Sequence, residues 1–145
     1  MARLLILRGL PGSGKTTFAR TLQPLVTRVC RDDLRLMLHG RIMLTAWAEA
    51  QVTAVQRGMV ETLLRRGADV IVDDTNLRPR TVRDWSSLAS VCGATFELHD
   101  FTDVPLDECI RRDAERPPEV RVGAAAIRRM YDRYLAGRES GSGVS

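Results

Sequence analysis

The sequence is short of nearly every residue type that would staple it, metallate it or embed it in a membrane. Cysteine occurs three times, at Cys30, Cys92 and Cys109, widely spaced and without a C-x-x-C pair. An odd, scattered set argues against a disulfide framework and a zinc site, and the apolar surroundings of each thiol predict a buried side chain. Histidine occurs twice, at His39 and His99, too few for a histidine metal cluster. No apolar run approaches the roughly 20 residues that a membrane-spanning helix needs. The apolar stretch Leu4 to Leu7 is also too short for a secretory core. These absences predict a cytoplasmic protein with no membrane partner.

Lysine is almost missing. Lys15 is the only one among 22 Lys and Arg residues, which against 18 Asp and Glu leave a net charge of +4. Arginine forks suit phosphate recognition. Heavy arginine use is equally a compositional habit, and a charge of +4 names no nucleic-acid partner by itself.

The 145 residues suit one domain, placed here at 3–136, followed by a Gly/Ser-rich tail or linker at 137–145. Short apolar runs alternate with helical patterns. Leu4 to Leu7, Thr27 to Cys30, Val70 to Val72 and the alternating stretch around Phe96 and Leu98 predict four strands. Helices are expected at Lys15 to Gln23, at about Ala46 to Arg66 with Val52, Val55, Met59 and Leu63 on its apolar face, and from Pro79 to Gly93. Two more are expected near Pro105 to Ala114 and Ala124 to Leu135. Strands alternating with helices give an α/β fold with a four-stranded parallel sheet flanked by helices.

Gly9-Leu10-Pro11-Gly12-Ser13-Gly14-Lys15-Thr16 matches G-x-x-x-x-G-K-[ST] at every fixed position. It follows an apolar strand and opens a helix, the context that this loop requires. The glycines let main-chain N–H groups approach phosphate oxygens, and the helix start adds unsatisfied donors and a positive dipole end. This predicts a P-loop NTPase/kinase fold with Gly12, Ser13, Gly14, Lys15, Thr16 and Thr17 on the phosphates of ATP or another NTP. Lys15 would sit on the β- and γ-phosphates and the Thr16 hydroxyl on Mg²⁺.

Acidic pairs follow two strands: Asp32-Asp33 and Asp73-Asp74. Phosphoryl transfer asks for one carboxylate at the acceptor hydroxyl and one near the metal. If these residues continue the strands, only one of each pair faces the site; helix capping is the competing role for any of them. Later, Arg111, Arg112, Arg116 and Arg121 crowd a stretch broken by Pro117 and Pro118. This is either a C-terminal helical lid that brings arginines to the triphosphate or a solvated helix end that complements the dipole.

Together the phosphate loop, Arg31-Asp32-Asp33-Leu34-Arg35, Asp74-Thr75-Asn76-Leu77, Phe101 to Pro105 and Met130-Tyr131 resemble the 5′-kinase domain of bacteriophage polynucleotide kinase-phosphatase. The resemblance runs over residues 3–136. It implies transfer of the γ-phosphoryl of ATP to a 5′-hydroxyl end of RNA or DNA, in nucleic-acid repair. By the same resemblance Asp32 is the general base, Arg35 grips the acceptor phosphate, Asp74 supports the base-bearing site and its arginine, and Thr75 touches the acceptor phosphate. Arg112 and Arg116 are the lid arginines. No D-x-D-x-T phosphatase motif or K-x-D-G ligase motif occurs, so the expectation is a stand-alone kinase or a module fused to, or acting with, phosphatase or ligase modules. A small-molecule kinase acting on a nucleoside, sugar or antibiotic hydroxyl is the competing enzyme. A nucleotide switch without an acceptor is the competing non-enzyme.

Overall fold

In the computed structural model, which describes residues 1–137, four strands form one parallel sheet in the order β2-β3-β1-β4. The strands are β1 (Arg3–Arg8), β2 (Thr27–Val29), β3 (Val70–Val72) and β4 (Thr95–Asp100). The helices are α1 (Lys15–Leu22), α2 (Arg31–His39), α3 (Ala46–Arg65), α4 (Pro79–Val91), α5 (Leu106–Ala114) and α6 (Ala124–Tyr134), with a 3₁₀ turn at Pro118–Val120. The expected Gly/Ser-rich tail falls, beyond Gly137, outside the described residues. No helix among the described residues is long and apolar enough to cross a membrane.

The central strand explains the layering. Leu4 and Ile6 face one side with Val70, Val72, Val60, Leu64, Trp85 and Leu88. Leu5 and Leu7 face the other with Ile71, Ala19 and Val26, and Phe18 and Phe101 pack against them. A side-chain period of two in a strand covered on both faces requires an unbroken apolar run, which is what Leu4 to Leu7 supplies. A third cluster of Leu10, Leu77, Cys109, Ile127 and Leu135 joins α5 and α6 to the ends of the strands. From β1 the chain crosses to β2 on one side, and from β3 it crosses to β4 on the other. The carboxyl ends of β1 and β3 therefore flank the point where strand order reverses, the place where open α/β sheets take ligands.

Two expectations change. Arg31-Asp32-Asp33 does not extend β2; it is the first turn of helix α2. Asp32 and Asp33 diverge because of helical rotation rather than strand alternation. The apolar face of α3 is also shifted: its buried residues are Ala48, Val52, Gln56, Val60 and Leu64, whereas Met59 is 38% exposed. The i, i+4 stripe contains a glutamine because Gln56 has a buried partner, described below.

Candidate active site

The phosphate loop links β1 to α1. Its glycines are required at two points. Gly12 has φ +82°, and a Cβ there would collide with the main-chain carbonyl oxygen of Cys109 on α5. Gly14, at φ +98°, is the N-cap of α1. Both backbones adopt the left-handed region that side chains resist. Lys15 is buried, and its Nζ donates to the carbonyls of Gly9 (2.9 Å) and Leu10 (2.7 Å) and to the Ser13 hydroxyl (3.2 Å). Burial pushes Lys15 down from 10.5 to about 8; Asp73 opposes the shift and the Arg116 charge adds to it. Ser13 is buried beneath the loop. Gly12, Gly14, Lys15, Thr16, Thr17, Arg112 and Arg116 line a cleft of about 450 Å³.

At the end of β3 the first acid of the doublet turns toward this cleft. Thr16 Oγ1 donates to Asp73 Oδ2 across 2.8 Å, and Arg28 Nε donates to the same oxygen at 2.8 Å. Asp73 Oδ1 is buried and has no hydrogen-bond partner. A buried, unpartnered carboxylate oxygen beside a threonine hydroxyl whose proton is already donated is a donor set suited to a hard divalent cation.

The second acid turns the other way. Asp74 Oδ1 accepts from the main-chain N–H of Arg31 at 2.7 Å, and its Oδ2 accepts from Gln56 Nε2 at 2.6 Å. Arg31 opens α2, so Asp74 satisfies one of the N–H groups that a helix start leaves orphaned. Cys30, the local N-cap, offers no side-chain hydrogen bond. Burial pushes the Asp74 carboxyl up from 3.8 to about 6 despite both donors.

Along α2, Asp32 and Asp33 part company. Asp33 pairs with Arg28 at 2.7 Å and is 60% exposed. Asp32 accepts from Arg35 Nη1 at 2.7 Å. Arg35 Nε also donates to Glu49 Oε1 at 2.8 Å, and Arg31 Nη2 donates to Glu49 Oε2 at 2.9 Å. Burial raises Glu49, but the donors of Arg35 and Arg31 outweigh it and hold the carboxyl below its usual range. Asp74 therefore reaches the main chain of Arg31, while Glu49 holds Arg35.

Arg31, Arg35, Asp74 and Thr75 line a second concavity of about 800 Å³ between α3, α4 and α6. Six arginines border it, against the two carboxylates Asp74 and Asp84. Asn76, at φ 45°, is a structural pin in its wall: Nδ2 donates to Leu7 O at 2.7 Å, and Trp85 Nε1 donates to Asn76 Oδ1 at 3.2 Å.

The basic stretch after α5 divides by direction. Arg112 reaches the phosphate loop, with Nη1 3.3 Å from Gly12 O, and its Nε donates to Glu108 at 2.9 Å. Arg116 lies beside the same cleft, with Nη1 3.8 Å from Asp113. Arg111 turns away to pair with Glu108 and Glu115. Arg121 Nε donates to Arg116 O at 2.6 Å. Buried Asp113 accepts from the N–H groups of Val122 and Gly123, each at 2.9 Å, and so closes the loop at its root.

The structure thus gathers Lys15, Thr16, Thr17, Arg112 and Arg116 at one cleft and Arg35, Asp74 and Thr75 at the other, with Asp32 bonded to Arg35. Sequence reasoning missed the individual parts played by Asp73, Arg28, Glu49 and Gln56. The acidic doublet signalled Asp73 without saying which member faced Thr16. Glu49 reads as an acid in the first turn of a helix. Nothing local marks Gln56.

A family model described as an AAA domain matches residues 4–137. The chain belongs to the AAA domain family. A protein of Autographa californica nuclear polyhedrosis virus, named as a bifunctional polynucleotide kinase/RNA ligase, is similar to this AAA domain at 32% identity over 149 aligned positions. These cover 92% of the chain and 21% of the viral protein. The L-seryl-tRNA(Sec) kinase of Methanococcus maripaludis is 26% identical over 135 residues, covering 90% of the chain and 52% of the kinase. A chain in the structure of the Pnkp1/Rnl/Hen1 RNA repair complex matches with a TM-score of 0.82 at 31% identity, over 96% of this chain and 46% of that one. The AAA domain described here therefore spans about a fifth and about half of the two curated relatives. Its fold is that of a P-loop kinase, a nucleotide-binding architecture.

Proposed function

We propose that this domain is an ATP-dependent polynucleotide 5′-hydroxyl kinase acting on RNA or DNA ends, akin to the kinase domain of the bacteriophage enzyme. The observation that carries the reading is Asp32 bonded to Arg35, an arginine of the groove wall. The candidate base is thereby joined to a surface suited to a phosphorylated acceptor.

In this mechanism Asp32 accepts the proton of the 5′-hydroxyl as its oxygen attacks the γ-phosphorus. The bond to the β–γ bridging oxygen breaks and ADP departs. Such base catalysis contributes about 10²–10⁴-fold. Lys15 and the N–H groups at the start of α1 hold the β- and γ-phosphates, and Arg112 and Arg116 offset the charge spread over the transferring group. Thr16 and Asp73 would hold Mg²⁺, which neutralises phosphate charge when bound. Arg35 and Thr75 position the acceptor through its phosphate, and Asp74 supports Arg31 at the start of the base-bearing helix. The domain works beside ligase or phosphatase modules, a reading supported by the ligase named in the viral relative and the Rnl component of the RNA repair complex.

The second reading is a kinase for a hydroxyl elsewhere than a strand end, or on a nucleoside, sugar or antibiotic. It is favoured by the relative named for L-seryl-tRNA(Sec). The deciding experiment incubates the protein with γ-labelled ATP and matched 5′-OH RNA, 5′-OH DNA, 5′-phosphorylated controls and nucleosides. Label entering only the 5′-OH strands is the expected result. Label entering nucleosides but not strands overturns the proposal.

A further inference from the structure

Four arginines of the acceptor-side groove lack the partners that hold Arg31 and Arg35. Arg57 comes from α3, Arg78 from the segment leading into α4, and Arg129 and Arg133 from α6. All four are exposed. Among the described residues, no carboxylate pairs with their guanidinium groups; Arg133 lies 5.2 Å over the ring of Tyr134. The groove's two carboxylates do little to balance them. Asp74 is engaged by Arg31 and Gln56, which leaves Asp84.

Their placement is specific. Val60 and Leu64 of α3 pack into the cluster under the sheet, and Ile127 and Leu135, in α6 and just beyond it, pack with α5. The helix walls belong to different packed units, and the arginines stand on the open sides that face each other. Arg129 and Arg133 are one helical turn apart, which sets their Cβ atoms about 5–6 Å from each other, the scale of one backbone phosphate to the next. Like charges converging on one concavity repel one another, and a linear polyanion relieves that repulsion along its length.

We propose that Arg57, Arg78, Arg129 and Arg133 form a second phosphate track, beyond Arg35, for the backbone phosphates of acceptor nucleotides behind the 5′-terminal one. The inference rests on the reading of this groove as the acceptor site. It makes the preferred substrate a strand of several nucleotides rather than a nucleoside or mononucleotide, held by its backbone and not by its base sequence.

The test compares wild type with Arg57→Ala, Arg129→Ala, Arg133→Ala and the triple variant. Acceptors are adenosine 3′-monophosphate, a 5′-OH dinucleotide and a 5′-OH RNA decamer, and binding of a fluorescent decamer is followed by anisotropy across a salt series. The triple variant should lose about tenfold or more in kcat/KM on the decamer, the scale of one or more charge-assisted contacts. Its loss on the 3′-monophosphate should be about fivefold smaller. The salt slope of decamer binding should flatten by about 0.7 for each contact removed. Equal losses on both acceptors, or an unchanged slope, overturn the track. If wild type phosphorylates no 5′-OH acceptor, the proposed reaction fails alone. Anisotropy then still decides: weakened decamer binding by the triple variant upholds the track, and unchanged binding overturns it.

Discussion

Arg35 and Asp32 lie one turn apart on α2, their side chains joined by a 2.7 Å hydrogen bond. The remaining guanidinium edge of Arg35 is directed to Glu49 on α3. The candidate base is therefore oriented by a cation that is itself oriented, and Arg35 keeps donors free for a further anion, since a guanidinium carries five.

Arg35→Ala should lower kcat/KM for a nucleoside 3′-monophosphate by roughly tenfold or more, as loss of a charge-assisted phosphate contact predicts. The bare nucleoside should suffer much less. Glu49→Gln should reproduce the pattern in weaker form, raising KM for the 3′-monophosphate more than it lowers kcat. Identical losses on both acceptors would assign Arg35 to stiffening Asp32 alone.

Asp32→Asn should abolish transfer while leaving NTP affinity intact, because the amide keeps the shape and cannot take the proton. Asp33, half out in solvent and paired with Arg28, should tolerate the same change with a stability cost of about 1 kcal/mol or less. Comparable rates for the two variants would show that the base lies elsewhere.

Lys15→Ala should reduce transfer by about 10²-fold or more, the scale of removing a principal charge-stabilising donor. Lys15 titrates near 8 and loses its proton as the pH rises through that value. Wild-type NTP affinity should therefore weaken above about pH 8, and that limb should vanish in Lys15→Ala. Isothermal titration across pH reads both.

Asp73→Asn should raise the Mg²⁺ concentration needed for half-maximal turnover by about tenfold, because it removes the charge of the carboxylate beside Thr16. Asp33→Asn, which alters the other partner of Arg28, is the control. A shared shift in both would trace the effect to Arg28 instead.

Asp74 gives a stability prediction with a definite sign. Its carboxyl titrates near 6 in the folded chain against an ordinary 3.8, so between those values the folded state holds the extra proton. Stability from this group is present at low pH and falls as the pH rises through about 6. Asn keeps an acceptor for the Arg31 N–H, and Gln56 can rotate its amide to accept. Asp74→Asn should therefore be more stable than wild type at pH 7, by about 1–2 kcal/mol of unfolding free energy, part of what such a shift corresponds to. The gap should close on acidification to about pH 4. A gap that widens with acid would reverse the assignment.

The phosphate loop was legible because its physics is local: glycines, a lysine and a hydroxyl must follow a strand at fixed spacing. The strands were legible for the same reason. Helix α2 was not. Cys30 gives it no side-chain cap, and Leu34 is its only buried residue, so neither a capping side chain at its start nor an apolar stripe marks it, and only Gly40, left-handed just past His39, signals its end. Its start is satisfied by Asp74, 43 positions later. Gln56 was hidden by the same bond network, since only the fold reveals why a glutamine interrupts an apolar stripe. The roles of Asp73 and Asp74 separate only once β3 is set between β1 and β2.

The two tryptophans give the chain a pair of optical probes. Trp85 is 7% exposed, lines the groove and donates to Asn76, while Trp47 is 73% exposed on α3. Acrylamide should quench the red-shifted emission of Trp47 and leave a blue component from Trp85. An anion settling in the groove should perturb that blue component selectively. With Trp47→Phe, occupancy of the arginine-lined groove becomes readable in real time without a label on either molecule.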